Sequence, residues 1–331
     1  MSELSNHKIF SINEHNFKTM AMEVFRFQYD NNEVYRQFAN ILTLSPANVP
    51  SLQDIPFLPI AFFKSHPVKS TNFLPETVFE SSGTTKNTTS RHFVKAIELY
   101  KTSFLRAFNI FYGDPRDYCV IGLLPSYLER GNSSLTFMVD ELIRRSHHPY
   151  SGFYLDEFDS LAKVLEVLER NKQKTLLIGV TFALLDFAER HTLSLEHTII
   201  METGGMKGRR EELTRQQVHN FLRERLGVNQ VHSEYGMTEL LSQAYSKGEG
   251  VFYCPPWMRV LLREEDDPLE LVHTPAYTSQ SGVINVIDLA NIYSCSFIAT
   301  DDVGRLTADG GFEVLGRMDN SDIRGCSLMV I

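Results

Sequence analysis

Cysteine is scarce in this sequence, four in 331 residues, and the four form neither a Cys-x-x-Cys unit nor a regular framework. That excludes a disulfide scaffold and a zinc knuckle. His-Glu-x-x-His is missing too, and His147-His148 have no partner at metal-ligand spacing, so a zinc centre is disfavoured. No apolar run approaches the ~20 residues that a membrane helix needs, so no membrane insertion is expected. Met1-Ser2-Glu3-Leu4-Ser5 lack the basic and apolar regions of a secretion signal, and the expected location is the reducing cytoplasm. Positive charge is in deficit: the net charge of −9 speaks against a nucleic-acid surface, and Arg144-Arg145 and Arg209-Arg210 are too short to reverse that. Internal repeats and low-complexity segments are absent. What remains is an ordinary globular composition, 43% hydrophobic and 22% charged, at a length that suits one large domain or two closely packed lobes.

Apolar residues at Met20, Val24, Phe25, Tyr35, Phe38, Ile41 and Leu42 predict one or two amphipathic helices between residues 13 and 44, broken near Asn31-Asn32. Residues 45–59 read as a proline-rich loop that leads into the buried segment Ile60-Ala61-Phe62-Phe63. Residues 76–80 predict a short strand, and helical spacing begins near Arg91 and continues through Phe93, Ile97, Tyr100, Phe104 and Phe108. Strand and helix then alternate. Strands are predicted at 118–124, 175–179, 198–201 and 228–231, and helices at 135–145, 159–171, 182–190 and 210–226. Such alternation predicts parallel sheets flanked by helices, with functional loops at the carboxyl ends of the strands. Beyond Ser242 the predicted strands are short, at 259–263, 269–273, 282–289, 297–300 and 312–315. The fold class is therefore α/β with a smaller β-rich lobe, divided into residues 1–241 and 242–331.

Between the strand at 76–80 and the following helix lies Ser81-Ser82-Gly83-Thr84-Thr85-Lys86. Gly83 lets backbone N–H groups converge on an anion, the hydroxyls add donors and Lys86 adds charge, so the loop could hold a triphosphate; alternatively it is a solvated turn. It is not a Walker A loop, because Thr88-Thr89-Ser90 stands where Gly-Lys-Ser/Thr is required. Four further motifs follow: Thr203-Gly204-Gly205-Met206-Lys207-Gly208, Glu234-Tyr235-Gly236-Met237-Thr238-Glu239, Thr300-Asp301-Asp302-Val303-Gly304 and Gly316-Arg317-Met318-Asp319. Read alone, each is as compatible with a turn as with a site.

In this order and spacing the motifs resemble the signatures of the adenylate-forming enzymes: acyl-CoA synthetases, firefly luciferase and peptide-synthetase adenylation domains. Phe57-Leu58-Pro59-Ile60 with Phe63-Lys64, the Gly-Gly-x-Lys at 204–207, Cys254-Pro255-Pro256-Trp257 and Ile323-Arg324-Gly325-Cys326 are similar to the acyl-protein synthetase family, the fatty acid activating component of the bioluminescence fatty acid reductase. The resemblance runs from about Ile55 to Ile331. It implies the large N-terminal part of an adenylate-forming enzyme, the first lobe being the nucleotide-binding one and ATP sitting where the two lobes meet. The implied reaction is carboxylic acid plus ATP giving acyl-adenylate and pyrophosphate, followed by acyl transfer to a thiol. Ser81, Ser82, Gly83, Thr84, Thr85 and Lys86 would then wrap the β- and γ-phosphates. Gly204-Gly205 would approach adenine and Tyr235-Gly236 would stack on it, Thr238 would bind the α-phosphate, and Asp302 would accept the ribose hydroxyls with Arg317 nearby. Glu239 is a hard oxygen donor of the kind that Mg²⁺ prefers. An acyl-reductase, acyltransferase or carrier protein is the implied partner. An aryl-acid or carrier-protein ligase like the phenylacetate-CoA ligases, or a nucleotide-binding subunit without the chemistry, are the alternatives.

The sequence departs from the superfamily at informative places. Lys86-Asn87-Thr88 replaces the usual Gly and Pro-Lys continuation, Asp301 stands where Thr-Gly-Asp has glycine, and only a dozen or so residues follow the hinge-like Gly316-Arg317-Met318-Asp319. The C-terminal domain and its catalytic lysine are thus expected to be missing. Lys207 is the candidate replacement, with a surface lysine as the alternative. His232 could orient the substrate carboxylate or be structural. Cys119, Cys254 and Cys295 read as packing residues. Cys326 matches the family's acyl-carrying cysteine; here Gly325 permits a turn, and Arg324 and Arg317 could lower the thiol pKa, while a small apolar residue is the other reading.

Overall fold

The computed structural model describes residues 6–81, 89–124, 132–155, 157–204, 213–272 and 280–318. The chain opens with helices Glu14–Asn31 and Glu33–Ile41, and Asn32 ends one and caps the other, its side chain accepting from the Tyr35 N–H. Phe25 and Tyr35 from these helices pack around Phe297 in the core. The segment after residue 45 contributes a two-residue strand, β1 (Leu58–Pro59), and the buried Phe63.

Strands β2 (Thr77–Glu80) and β3 (Arg91–Val94) pair antiparallel, Glu80 opposite Arg91. Here the structure corrects the reading of a helix from Arg91. The helix is Ile97–Tyr112, and the Glu76 carboxylate accepts from its Ile97 N–H at 2.7 Å. Phe93 does fall in helical register with Ile97 and Tyr100. Residues 91–94, however, alternate outward and inward, as a strand requires. The Ser81–Lys86 loop therefore leaves from one strand of a hairpin and does not lead into a helix N-terminus.

The chain then alternates as expected. Strands β4 (Cys119–Leu123), β5 (Gly152–Phe153), β6 (Thr175–Val180), β7 (Thr198–Thr203), β8 (Val231–Tyr235) and β9 (Ala244–Ser246) form a sheet ordered β5-β4-β6-β7-β8-β9, parallel except for β9. Helices Ser134–Ser146, Phe158–Arg170, Thr181–Arg190 and Arg215–Leu226 make the crossovers. β4 and β6 are buried along their whole length, as strands covered on both faces must be. The strand expected at 228–231 lies later, at Val231–Tyr235, so Glu234 and Tyr235 are strand residues.

The second sheet is antiparallel and is built from β10 (Val251–Phe252), β11 (Met258–Arg263), β12 (Ser281–Asp288), β13 (Phe297–Leu306) and β14 (Phe312–Arg317), in the order β10-β14-β13-β12-β11. β1 joins it by pairing parallel to β13, Leu58 opposite Ile298. Of the strand expected at 269–273, the described part contributes a single bridge, Leu271 to Arg263. Thr300 to Gly304 is not a turn but the middle of β13. Thr300 Oγ1 donates to the Ile284 carbonyl, and the buried Arg263 donates to the Thr300 carbonyl. Among the described residues no helix is long and apolar enough to cross a membrane.

Candidate active site

At the carboxyl end of β7, Gly204 takes the left-handed conformation (φ +71°) that glycine tolerates best. Thr181, the first residue of its helix, holds that bend: its Oγ1 lies 2.5 Å from the Gly204 carbonyl and 2.8 Å from Glu202 Oε2. Ser233 on β8 donates to Glu202 Oε1 at 2.8 Å, and His219 Nε2 is 3.6 Å from the same oxygen. Burial pushes the Glu202 carboxyl up, but the hydrogen bonds from His219, Thr181 and Ser233 outweigh it and hold the group below the usual carboxylate range.

One residue further along the ladder, on the opposite face, Thr203 donates to Glu234 Oε2. Burial pushes this second carboxyl up to about 7; the Thr203 hydrogen bond works against the shift and the Glu202 charge adds to it. The next residue but one is a glycine whose missing side chain leaves room for this carboxylate. A Cβ on Gly236 would stand 2.3 Å from Glu234 Oε1.

Tyr235 ends β8 and bridges the two sheets. Its hydroxyl donates to Asp302 Oδ2 at 2.8 Å, and Phe252 and Phe312 pack edge-on to its ring at 6.0 and 5.4 Å. Asp302 on β13 sits opposite Arg317 on β14, with Arg317 Nε 3.6 Å from Oδ1. Burial raises the Asp302 pKa against the pull of Tyr235 and Arg317.

Thr238 and Glu239 follow in the turn after β8. Glu239 is 5% exposed, and burial raises its pKa against a hydrogen bond from Ser90 and the charges of Arg317 and Lys64. Ser90 also closes the base of the β2–β3 hairpin, donating its N–H to Ser81 Oγ at 2.9 Å and accepting from the Ser81 N–H at 3.1 Å. The Thr238 carbonyl accepts from His92 Nδ1 at 2.8 Å, and the Glu239 carbonyl accepts from Asn291 Nδ2 at 2.7 Å. Just beyond, the buried Asp288 accepts from Leu241 N, Ser242 N, Ser242 Oγ and Ala290 N at 2.6–3.1 Å.

Residues singled out from four separate motifs thus come together along one line of hydrogen bonds and charge interactions: Ser81 and Ser90, then Glu239, which feels the Arg317 charge, and then Arg317 paired with Asp302 and Asp302 bonded to Tyr235. Gly204 ends the strand beside them. His232 stands apart from this line, its Nδ1 3.2 Å from the Tyr112 hydroxyl. Burial, with Lys247 and His219, pushes its pKa down to about 4, so it is neutral at physiological pH. Ser82, Gly83, Thr84, Thr85, Lys86, Gly205, Lys207 and Cys326 lie outside the described residues. His92, Asn291, Asp288 and Glu202 had no distinguishing mark in the sequence, and Glu234 was noted only as a motif residue without a role, since their contacts join distant segments.

Among the described residues no three metal-capable side chains gather. Glu239, a single buried carboxylate, fits a cation such as Mg²⁺ that takes one or two carboxylates and fills its shell with phosphate oxygens and water, and it does not fit an all-protein cage.

A family model described as acyl-protein synthetase, LuxE, matches residues 5–331. The chain is 23% identical over 329 residues to a long-chain-fatty-acid–luciferin-component ligase from Vibrio harveyi, a match covering 92% of this chain and 84% of that protein. Among solved structures it is similar to an ATP-bound RpMatB-BxBclM chimera at 16% identity, with TM-score 0.55 over 75% of this chain and 49% of the other. It is likewise similar to a long-chain-fatty-acid-CoA ligase from Archaeoglobus fulgidus at 16% identity, with TM-score 0.51 over 73% of this chain and 51% of the other. The fold is that of the N-terminal part of the adenylate-forming enzymes, and the chain spans about half the length of these solved structures. With its family model matched from residue 5 to residue 331, the chain belongs to the LuxE acyl-protein synthetase family.

Proposed function

We infer that this chain activates a carboxylic acid, a fatty acid by its family, by joining it to the AMP part of ATP, and then carries the acyl group on Cys326. In the first half-reaction a carboxylate oxygen attacks the α-phosphorus and pyrophosphate leaves. In the second, the thiolate attacks the acyl carbonyl and AMP leaves, giving a thioester. The observation that carries this reading is the line of hydrogen bonds and charge interactions in which Ser90 bonds Glu239, the Arg317 charge acts on Glu239 and pairs with Asp302, and Tyr235 donates to Asp302, which draws separate motifs from both sheets to one place.

Along that line each residue has a role that its surroundings support. Tyr235 would offer its ring to adenine, beside the backbone of Gly204, Gly205 and Gly236. Asp302 accepts one hydroxyl, that of Tyr235, and retains lone pairs for ribose hydroxyls, with Arg317 balancing its charge. Thr238 would contact the α-phosphate, and Ser81 with Ser82, Gly83, Thr84, Thr85 and Lys86 the outer phosphates. Glu239 would hold Mg²⁺, which when bound neutralises phosphate charge. Lys207 would supply the cation needed as charge develops on the α-phosphate. His232, being neutral, would offer the acid a hydrogen bond and no charge.

The choice of Cys326 is supported by elimination as well as by family. Of the four cysteines, Cys119 is pushed by burial to about 11, and Cys254 and Cys295 to about 12, so these thiols stay protonated and unreactive at neutral pH. The acyl group would pass on to an acyl-reductase, acyltransferase or carrier protein.

The test is ATP–pyrophosphate exchange across straight-chain acids of increasing length and a set of aryl acids. Exchange that depends on a long-chain acid is the expected result. Nucleotide binding with no exchange for any acid would contradict it and leave a binding subunit.

A further inference from the structure

The turn that presents Thr238 and Glu239 is gripped from both sides by side chains that no motif includes. His92 stands on β3 and is 1% exposed; Asn291, just past β12, is fully buried. A carbonyl oxygen only accepts, so His92 Nδ1 must carry the proton it shares with the Thr238 oxygen at 2.8 Å. Asn291 Nδ2 spends one proton on the Glu239 carbonyl at 2.7 Å and the other on the Cys295 carbonyl at 2.9 Å, which ties it to its own turn. The Thr238 carbonyl belongs to the peptide unit before the Glu239 Cα, and the Glu239 carbonyl to the unit after it. With both units held, φ and ψ of Glu239 are held, and so is the direction in which its side chain leaves the backbone. The two grips come from segments 146 and 52 residues away in sequence, and the edge of the Phe63 ring packs on the His92 imidazole at 5.9 Å. The turn is already closed by the Leu240 N–H donating to the Met237 carbonyl at 3.1 Å, and the two outside grips add to that closure to preorganise one carboxylate.

We propose that His92 and Asn291 are positioning residues that fix the Glu239 carboxylate, and the Thr238 beside it, for a magnesium-bound nucleoside triphosphate. The inference rests on the role given to Glu239 above and extends it to the residues that aim it. Burial, which holds His92 near a pKa of about 4, keeps the imidazole neutral throughout the physiological range, so the grip is a steady hydrogen bond and not a switch.

The atom that makes the bond supplies the test. An asparagine at position 92 can place its amide nitrogen where Nδ1 lies, a glutamine places its own where Nε2 lies, and a leucine has neither. ATP affinity is measured by calorimetry with and without Mg²⁺ for the wild type, His92→Asn, His92→Gln, His92→Leu and Glu239→Gln, alongside thermal unfolding of each. The expected result is that His92→Asn keeps the magnesium-dependent gain in affinity, while His92→Gln and His92→Leu lose about ten-fold of it, as Glu239→Gln does. Affinity without Mg²⁺, which reports the Thr238 contact and not the Glu239 carboxylate, should fall less in His92→Gln and His92→Leu than the magnesium-dependent gain does. An unchanged magnesium gain in both His92→Gln and His92→Leu overturns the inference. So does a loss in all three position-92 variants that merely follows their unfolding temperatures. The measurement needs no turnover, so a wild type that binds Mg²⁺-ATP but shows no pyrophosphate exchange would defeat the proposed reaction and leave this inference standing on the binding pattern.

Discussion

Glu234 shows what burial does to a single side chain in this protein. Its carboxyl titrates at about 7 in the folded chain against an ordinary value of 4.5. A raised folded pKa means that the native state holds the proton more tightly than the unfolded chain, so the contribution to stability is complete below about pH 4.5 and is lost as pH rises through 7. Glu234→Gln keeps the shape and removes the titration. Relative to this variant, the wild type is expected to lose up to about 3 kcal/mol between pH 5 and pH 8. Urea unfolding of both proteins at the two pH values measures the difference, and parallel pH dependence would refute the assignment. The histidines held neutral near 4, His92 and His232, act in the opposite direction at lower pH, but they are common to both proteins and cancel. The sequence marks Glu234 only as the first residue of its motif, with no role of its own, and its burial shows only once Thr203 is placed opposite it. Tyr235, Asp302 and Glu239 stood out in the sequence because each belongs to a short motif, and the structure brings Tyr235 and Asp302 into contact.

At the scale of elements, the turn after β8 depends on Asp288 at the end of β12. Its two oxygens accept from two backbone N–H groups of that turn, from the Ser242 hydroxyl and from the Ala290 N–H, all of them buried. Ser242 in turn shares its hydroxyl with Trp257 Nε1 and with Ser103 on the helix Ile97–Tyr112. Asp288→Ala strands these donors away from water and is expected to cost about 3 kcal/mol or more, whereas Asp288→Asn, which keeps an acceptor oxygen, should cost less. Denaturant midpoints that place the two variants together near the wild type would show that the turn has another support. Elements whose own residues decide their state were readable. β4 and β6 are continuous apolar runs, and the pause at Asn31-Asn32 marks where one helix cap hands over to the next. β13 was readable only at its start, as the strand expected at 297–300; Asp301-Asp302 are turn formers, and it is the buried Arg263 and the Ile284 carbonyl, both bonded to Thr300, that hold the strand extended there. β3 was not readable, because its pairing with β2 outweighs a helical spacing that continues without a break into the true helix.

For the whole molecule, the parallel sheet and the antiparallel sheet come together where β8 meets β13, and the Tyr235–Asp302 bond marks the junction. The alternation of strands and helices was enough to predict the parallel strands β4, β6, β7 and β8 of the first sheet, though not the two-residue β5. It could not predict that β1, from the N-terminal segment, would pair with β13, or that β9 would return to the first sheet, because such pairings are decided by packing between distant parts of the chain. The proposed reaction belongs to the chain as a whole, which would activate an acid and then carry the product itself. The most direct measurement is peptide mass mapping of protein incubated with ATP, Mg²⁺ and the long-chain acid that best supports exchange. One hydroxylamine-sensitive acyl group should be found on Cys326 and none on Cys119, Cys254 or Cys295, and Cys326→Ser should lose the adduct while still releasing pyrophosphate. An acyl group that persists in Cys326→Ser, or one mapped to any of the other three thiols, would contradict the account.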